Sequence, residues 1–423
     1  MTVYWARRAL LPDGVVGGVV LEGGEDGRWA EARSGVEVAP RGATVLGGLV
    51  LPGLADHHSH AFHRALRGRA AGDDFWAWRS EMYALAARLD PETLLALSTA
   101  AFAELVLAGV TTVHEFHYLH HPEGMDDAVC EAARRAGIRL VLLDTCYLRA
   151  GFGGEELDPV QRRFSDGGVD RWAARATKVA AAHPDITVGA AIHSVRAVDP
   201  GSLGAVAGWA RERDVPLHLH LSEQPAENEA CRAATGRTPT RLAHEHGVLG
   251  PGTTAIHCTH VSADDIARLG ETDTTVCLCP TTERDLADGI GPAAALVEAG
   301  CPLRLGSDSH AVVDLLEEAR LVELHQRLAT GRRGLHPPAE LLQAATGGGA
   351  LGQGEPADLC AVDLDTVRPA GIDPDDPVPM LVTAATAADV SDVVVGGRHV
   401  VRQGEHTGLD VAAALRAAIA AVG

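Results

Sequence analysis

The sequence predicts an α/β protein: a (β/α)8 barrel carrying a small β-sandwich-like domain formed from both termini. Three observations lead to that expectation. Eight short apolar runs between residues 48 and 306 alternate with stretches of helical character, the rhythm of a parallel barrel. Both chain ends carry β-branched runs broken by glycine turns. Histidines and acids recur where the apolar runs stop, and parallel barrels gather their active sites at strand C-terminal ends.

Residues 1–51 read as the first part of the small domain, with strand-like runs at Gly17–Leu21 and Ala43–Leu46. Residues 52–354 read as the barrel. Its strands are expected at Gly48–Leu54 (astride the boundary), Thr111–Phe116, Arg139–Thr145, Thr187–Ile192, Pro216–Leu221, Thr254–Cys258, Thr275–Cys279 and Pro302–Gly306. Helices are expected between them, among others at Pro91–Leu107, Met125–Ala136, Trp172–Ala182, Leu203–Arg213 and Ala263–Leu269. Thr346–Gly354 reads as a flexible connection. Residues 355–423 return to the small domain through Ala357–Asp363 and Val393–Gly397, and end in a C-terminal helix. An open doubly wound sheet is disfavoured, because no GxGxxG follows the first strand and no GxxxxGK[ST] occurs.

The 423 residues, 46% of them hydrophobic, are ample for a large core. With 36 basic and 57 acidic residues the net charge is -21, which argues against nucleic acid or anionic membrane as partner. An anionic substrate must then be held by local arginines. Eight scattered cysteines without a CxxC pair read as reduced thiols of a cytosolic enzyme. Cys277 and Cys279 share a strand face and read as packing. The opening Met1–Arg8 lacks a signal-peptide pattern, and no apolar run reaches the roughly 20 residues of a membrane span. A cytoplasmic location is expected.

The chemistry concentrates in Leu51–His60, which ends in His58 and His60. Strand side chains alternate, so these two imidazoles point the same way and can share one divalent metal. Pro216–Glu223 supplies His220 near the mouth as a third ligand, with His218 deeper in the core and Glu223 placed beyond the strand to shuttle protons. His257 points into the mouth as a proton acceptor or hydroxide stabiliser, and His260 lies further out. Asp308 follows the eighth strand as ligand and proton acceptor; its bland alternative is the N-cap of Val313–Leu328. Three histidines and an aspartate with one open position fit a catalytic zinc site, and such an ion lowers the pKa of bound water toward ~7. Fe2+ and Mn2+ accept the same donors.

Further pieces carry a resemblance: His58–Arg64, Asp74–Tyr83, Glu115–His121, Ala150–Gly154 with Gln161–Phe164, Ile192–Val198 and Ser307–His310. With them the chain resembles the amidohydrolase superfamily, in its branch of mononuclear-metal deaminases, and within that branch the N-formimino-L-glutamate deiminases. Thr187–Ser194 offers no lysine to bridge two metals, so one ion is expected. The resemblance implies hydrolysis of N-formimino-L-glutamate to N-formyl-L-glutamate and ammonia, in histidine degradation. It implies that His257 assists deprotonation of water, that Asp308 is ligand and proton acceptor, and that Glu223 protonates the departing nitrogen. Arg79 and Arg196 match carboxylate-binding arginines, and Tyr118 and His193 match substrate-touching positions. His63 stands where the family usually has a glutamine thought to hold a substrate carboxylate, and the connection after Ala345 is shortened. The implied partner is a small dicarboxylate, and the implied assembly a homodimer. Two alternatives stand beside this reading. One is a deaminase of the same branch acting on a guanine-like base or a shorter formimino-amino acid. The other is a non-catalytic barrel serving as a scaffold.

Overall fold

In the computed structural model, which describes residues 2–69, 72, 75–373 and 375–423, eight parallel strands pair in sequence order. They are Leu54–Ser59, Val110–His117, Arg139–Cys146, Thr187–Ile192, Leu217–Leu221, Thr253–His257, Thr275–Leu278 and Leu303–Leu305. The first and last come together at their C-terminal ends. The Asp308 amide donates to the His58 carbonyl at 2.8 Å, and the His60 amide donates to the Asp308 carbonyl at 3.0 Å. Gly306 permits this seam, because a Cβ there would sit 2.7 Å from the Cβ and the carbonyl oxygen of His58. The backbone contact that closes the barrel is thus also the one that sets Asp308 beside the His-x-His pair.

The first expected strand divides differently from the sequence reading. Leu49–Pro52 belongs to the terminal sheet, paired antiparallel with Leu359–Val362, and the barrel strand begins at Leu54. A continuous apolar run is buried in either sheet, so no period marks where one ends and the next begins. The terminal strands join in one nine-stranded sheet around Tyr4, Leu21, Trp29, Leu359 and Val394.

Helices cover the outside of the barrel. Pro91–Leu107 starts at Asp90, whose side chain and that of Thr93 form a capping box, and the C-terminal helix Val411–Val422 packs on it. Asp314, not Asp308, caps the helix Leu315–Thr330, through bonds from the Leu316 and Glu317 amides. Beneath the catalytic end, His57, His114 and His218 stack with ring centroids 4.5 and 5.3 Å apart. The glycine-rich connection presses against this stack: a Cβ at Gly347 would meet His57 Cε1 at 2.6 Å. Gly347 therefore serves close approach to His57, a packed contact in a segment whose composition reads as loose linkage. No helix among the described residues is long and apolar enough to cross a membrane.

Candidate metal centre and active-site pocket

The strand ends that carry the site are strained. Ser222, His257, Cys258, Asp308 and His310 all take φ between 46° and 69°, a left-handed region costing non-glycine residues about 1–3 kcal/mol each. That backbone turns the side chains of the fifth, sixth and eighth strand ends toward one point.

Four donor atoms meet there. Asp308 Oδ1 lies 3.4 Å from His58 Nε2 and 3.5 Å from His60 Nε2. His220 Nε2 lies 3.1 Å from His58 Nε2 and 3.4 Å from His60 Nε2. The tautomers follow from the outer nitrogens. His60 Nδ1 donates to the Phe116 carbonyl at 2.9 Å, and His220 Nδ1 donates to the His193 carbonyl at 2.8 Å. Each Nε2 lone pair therefore faces inward, as a metal ligand requires. Burial pushes the His58, His60 and His220 imidazoles below their usual pKa range, so they remain neutral. Burial works against ionising Asp308, but His58, His257 and His220 outweigh it and hold the carboxyl below the usual carboxylate range. Neutral imidazoles and an ionised carboxylate are the forms that bind a divalent ion, so the residues present fit one.

Beside this cluster, His257 Nε2 is 3.7 Å from Glu223 Oε1 and 3.8 Å from Asp308 Oδ2, and its Nδ1 is 3.5 Å from Glu283 Oε1. Burial disfavours its charge, yet the surrounding carboxylates Glu223, Glu283 and Asp308 raise its pKa well above the ordinary value. Burial raises Glu223. Two groups that both favour their protonated forms thus stand side by side, placed to exchange protons.

These groups open onto a cavity of about 390 Å³. Every site residue expected from the sequence lines it except His58, which lies fully buried behind. Arg79 donates to the Tyr83 hydroxyl at 2.6 Å and stacks over the Trp76 and Tyr83 rings. Asp74, part of the same motif, lies outside the described residues. Arg196 donates from Nη1 to the Ala150 carbonyl at 2.9 Å. His63 Nε2 and the Tyr118 hydroxyl are 2.8 Å apart, and burial lowers His63 to about 3 and raises Tyr118 well above its usual pKa. His193 Nδ1 is buried and, among the described residues, without a hydrogen-bond partner.

Sequence reasoning assigned no role to Glu115 or Glu283. Glu115 accepts from Ser59 Oγ at 2.7 Å and from the Ala61 amide at 2.8 Å, and so pins the chain on both sides of His60. Its only sequence signal was membership of the Glu115–His121 motif. Glu283 sits on the short helix Pro280–Asp285, and no spacing connects it to His257. His117, His120 and Asp126, also from that motif's neighbourhood, form a second cluster of metal-binding residue types. There Arg175 reaches Asp126, Asp144 and Asp166, and its guanidinium supplies the positive charge, making a hydrogen-bonded anchor.

A sequence model of the amidohydrolase family matches residues 49–400. The chain belongs to the amidohydrolase family. This amidohydrolase is 36% identical to the formimidoylglutamate deiminase of Pseudomonas aeruginosa, with 96% of each chain covered. It is 33% identical to the 8-oxoguanine deaminase of the same organism over 86% of this chain and 85% of the other. A solved amidohydrolase structure from Brucella melitensis superposes with a TM-score of 0.90 at 30% identity, covering 100% of both chains.

Proposed function

We infer that this amidohydrolase converts N-formimino-L-glutamate and water to N-formyl-L-glutamate and ammonia, a step of histidine degradation. One observation carries the reading: Arg79 and Arg196 line the same cavity as the convergent His60, His220 and Asp308. In a protein of net charge -21, two guanidinium groups at one pocket suit a substrate with two carboxylates. The 36% identity to a formimidoylglutamate deiminase supports the same choice.

His58, His60, His220 and Asp308 would hold one divalent ion, Zn2+ by its preference for nitrogen and carboxylate donors with an open position. Bound there, it supplies Lewis acidity and lowers the pKa of water. The protein's own groups manage the protons. With the four ligands occupied by a cation, His257 gives up the proton that the surrounding carboxylates hold on it; the freed imidazole takes the first proton of the attacking water, and Asp308 takes the second as the tetrahedral adduct collapses. Glu223, whose protonated form burial favours, gives one proton to the imino nitrogen, and Asp308 passes its proton to the same nitrogen as it leaves as ammonia; the proton on His257, 3.7 Å from Glu223, restores the acid. Arg79 and Arg196 fix the two carboxylates, and Tyr118 and His63 form the wall beside them. All eight cysteines are unpaired, which suits a reducing compartment such as the cytoplasm.

The experiment is ammonia release from N-formimino-L-glutamate by metal-replete enzyme, against a His220→Ala control. Turnover confined to the wild type supports the reading, and no turnover above the control ends it. A second reading, nucleobase deamination, is favoured by the 33% identity to 8-oxoguanine deaminase and by Trp78 and Phe164 on the cavity wall. Release of ammonia from 8-oxoguanine, unaffected by Arg196→Met, would replace the first reading with this one.

A further inference from the structure

Behind His257 lies a thiol that the reaction does not use. Cys279 follows the seventh strand, Thr275–Leu278, and is fully buried. His257, Cys279 and Asp308 each offer a donor atom, and the three atoms lie within 4.8 Å of one another. Asp308 faces two ways: Oδ1 is turned to His58 and His60 at 3.4 and 3.5 Å, whereas Oδ2 is 3.8 Å from His257 Nε2. Glu283 stands at the back, its Oε1 accepting from the Cys279 amide at 3.0 Å and lying 3.5 Å from His257 Nδ1. That Nδ1 is buried and, among the described residues, has no hydrogen-bond partner.

We propose that His257, Cys279 and Asp308 Oδ2 form a second, inhibitory site for a thiophilic divalent ion, bridged through Asp308 to the catalytic one. The donors decide the ion class. A thiolate with an imidazole selects Zn2+ or Cd2+ over Mg2+ or Mn2+, which prefer oxygen. Binding is an exchange without redox change: the S–H proton and the proton that the neighbouring carboxylates hold on His257 pass to solvent, and a sulfur–metal and a nitrogen–metal bond form. Inhibition follows because the His257 and Asp308 lone pairs that handle protons become ligands.

The test titrates Cd2+ into enzyme already loaded with one equivalent of Zn2+. Three changes are expected together: a second equivalent retained on gel filtration, a cadmium–thiolate absorption band in the ultraviolet, and ammonia release falling at least about tenfold. In Cys279→Ser the second ion binds roughly 10–100-fold more weakly, the band is lost, and basal activity is kept. Cys279→Ala serves if the serine variant misfolds. Wild-type enzyme that stays at one equivalent without the band overturns the proposal, and so does a band that survives in both variants. Stoichiometry and absorption are read without substrate, so they decide this site whatever compound the enzyme deaminates.

Discussion

Arg196→Met tests the dicarboxylate reading most directly. The guanidinium has five N–H donors, and among the described residues its one side-chain hydrogen bond runs from Nη1 to the Ala150 carbonyl. The remaining donors suffice for a bidentate grip on a carboxylate. Each charge-assisted bond contributes about 1.5–3 kcal/mol. Arg196 is half-buried, so solvent screening roughly halves the pair to about 1.5–3 kcal/mol. At 1.4 kcal/mol per decade that corresponds to a loss of roughly 10- to 150-fold in kcat/KM. Methionine keeps much of the length and apolar bulk, so the charge is the main thing removed. The assay is initial-rate ammonia release over a range of N-formimino-L-glutamate concentrations. Because the grip is made before and during the reaction, KM should rise more than kcat falls. A change smaller than about threefold, with wild-type turnover intact, would refute the assignment of Arg196 to a substrate carboxylate.

Three other perturbations follow from the same geometry. Glu223→Gln removes the proton donor to the departing nitrogen, so kcat should drop by about 10²–10⁴-fold while KM moves little. His220→Ala deletes one of four convergent donors, and metal analysis of the purified variant should show loss of the stoichiometric divalent ion. Burial raises the Glu115 carboxyl from 4.5 to about 8, so between those values the folded protein holds a proton that the unfolded chain lacks. Its contribution of a few kcal/mol is complete below pH 4.5 and lost as pH climbs through 8. Thermal melts of Glu115→Gln should show a shallower decline than wild type across that window, and an unchanged slope would contradict the buried, protonated state.

The parts of the site written in local periodicity were legible beforehand. His58 with His60 and His218 with His220 repeat at two residues, so strand geometry alone groups each pair on one side. The arginines were legible through motif resemblance only, since a surface helix and a pocket wall accept the same residue. Glu283 had no such signal, and Cys279 read only as packing beside Cys277: the contacts that matter run between separate strand ends, where spacing along the chain carries no distance information. Asp308 was ambiguous between helix cap and metal ligand until Asp314 proved to take the cap.

By itself, then, the chain's order of residues determined the alternation that makes a barrel, the rim position of its histidines and the excess of negative charge. Tertiary structure alone decided that Leu49–Pro52 joins the terminal sheet, that Gly306 brings the eighth strand against His58, and that Asp308 shows different oxygens to His58 and His257. The division has one physical cause. Periodicity fixes which way a side chain points from its own backbone, whereas distances between side chains on different strands are set by barrel closure and by the strained turns that end the strands.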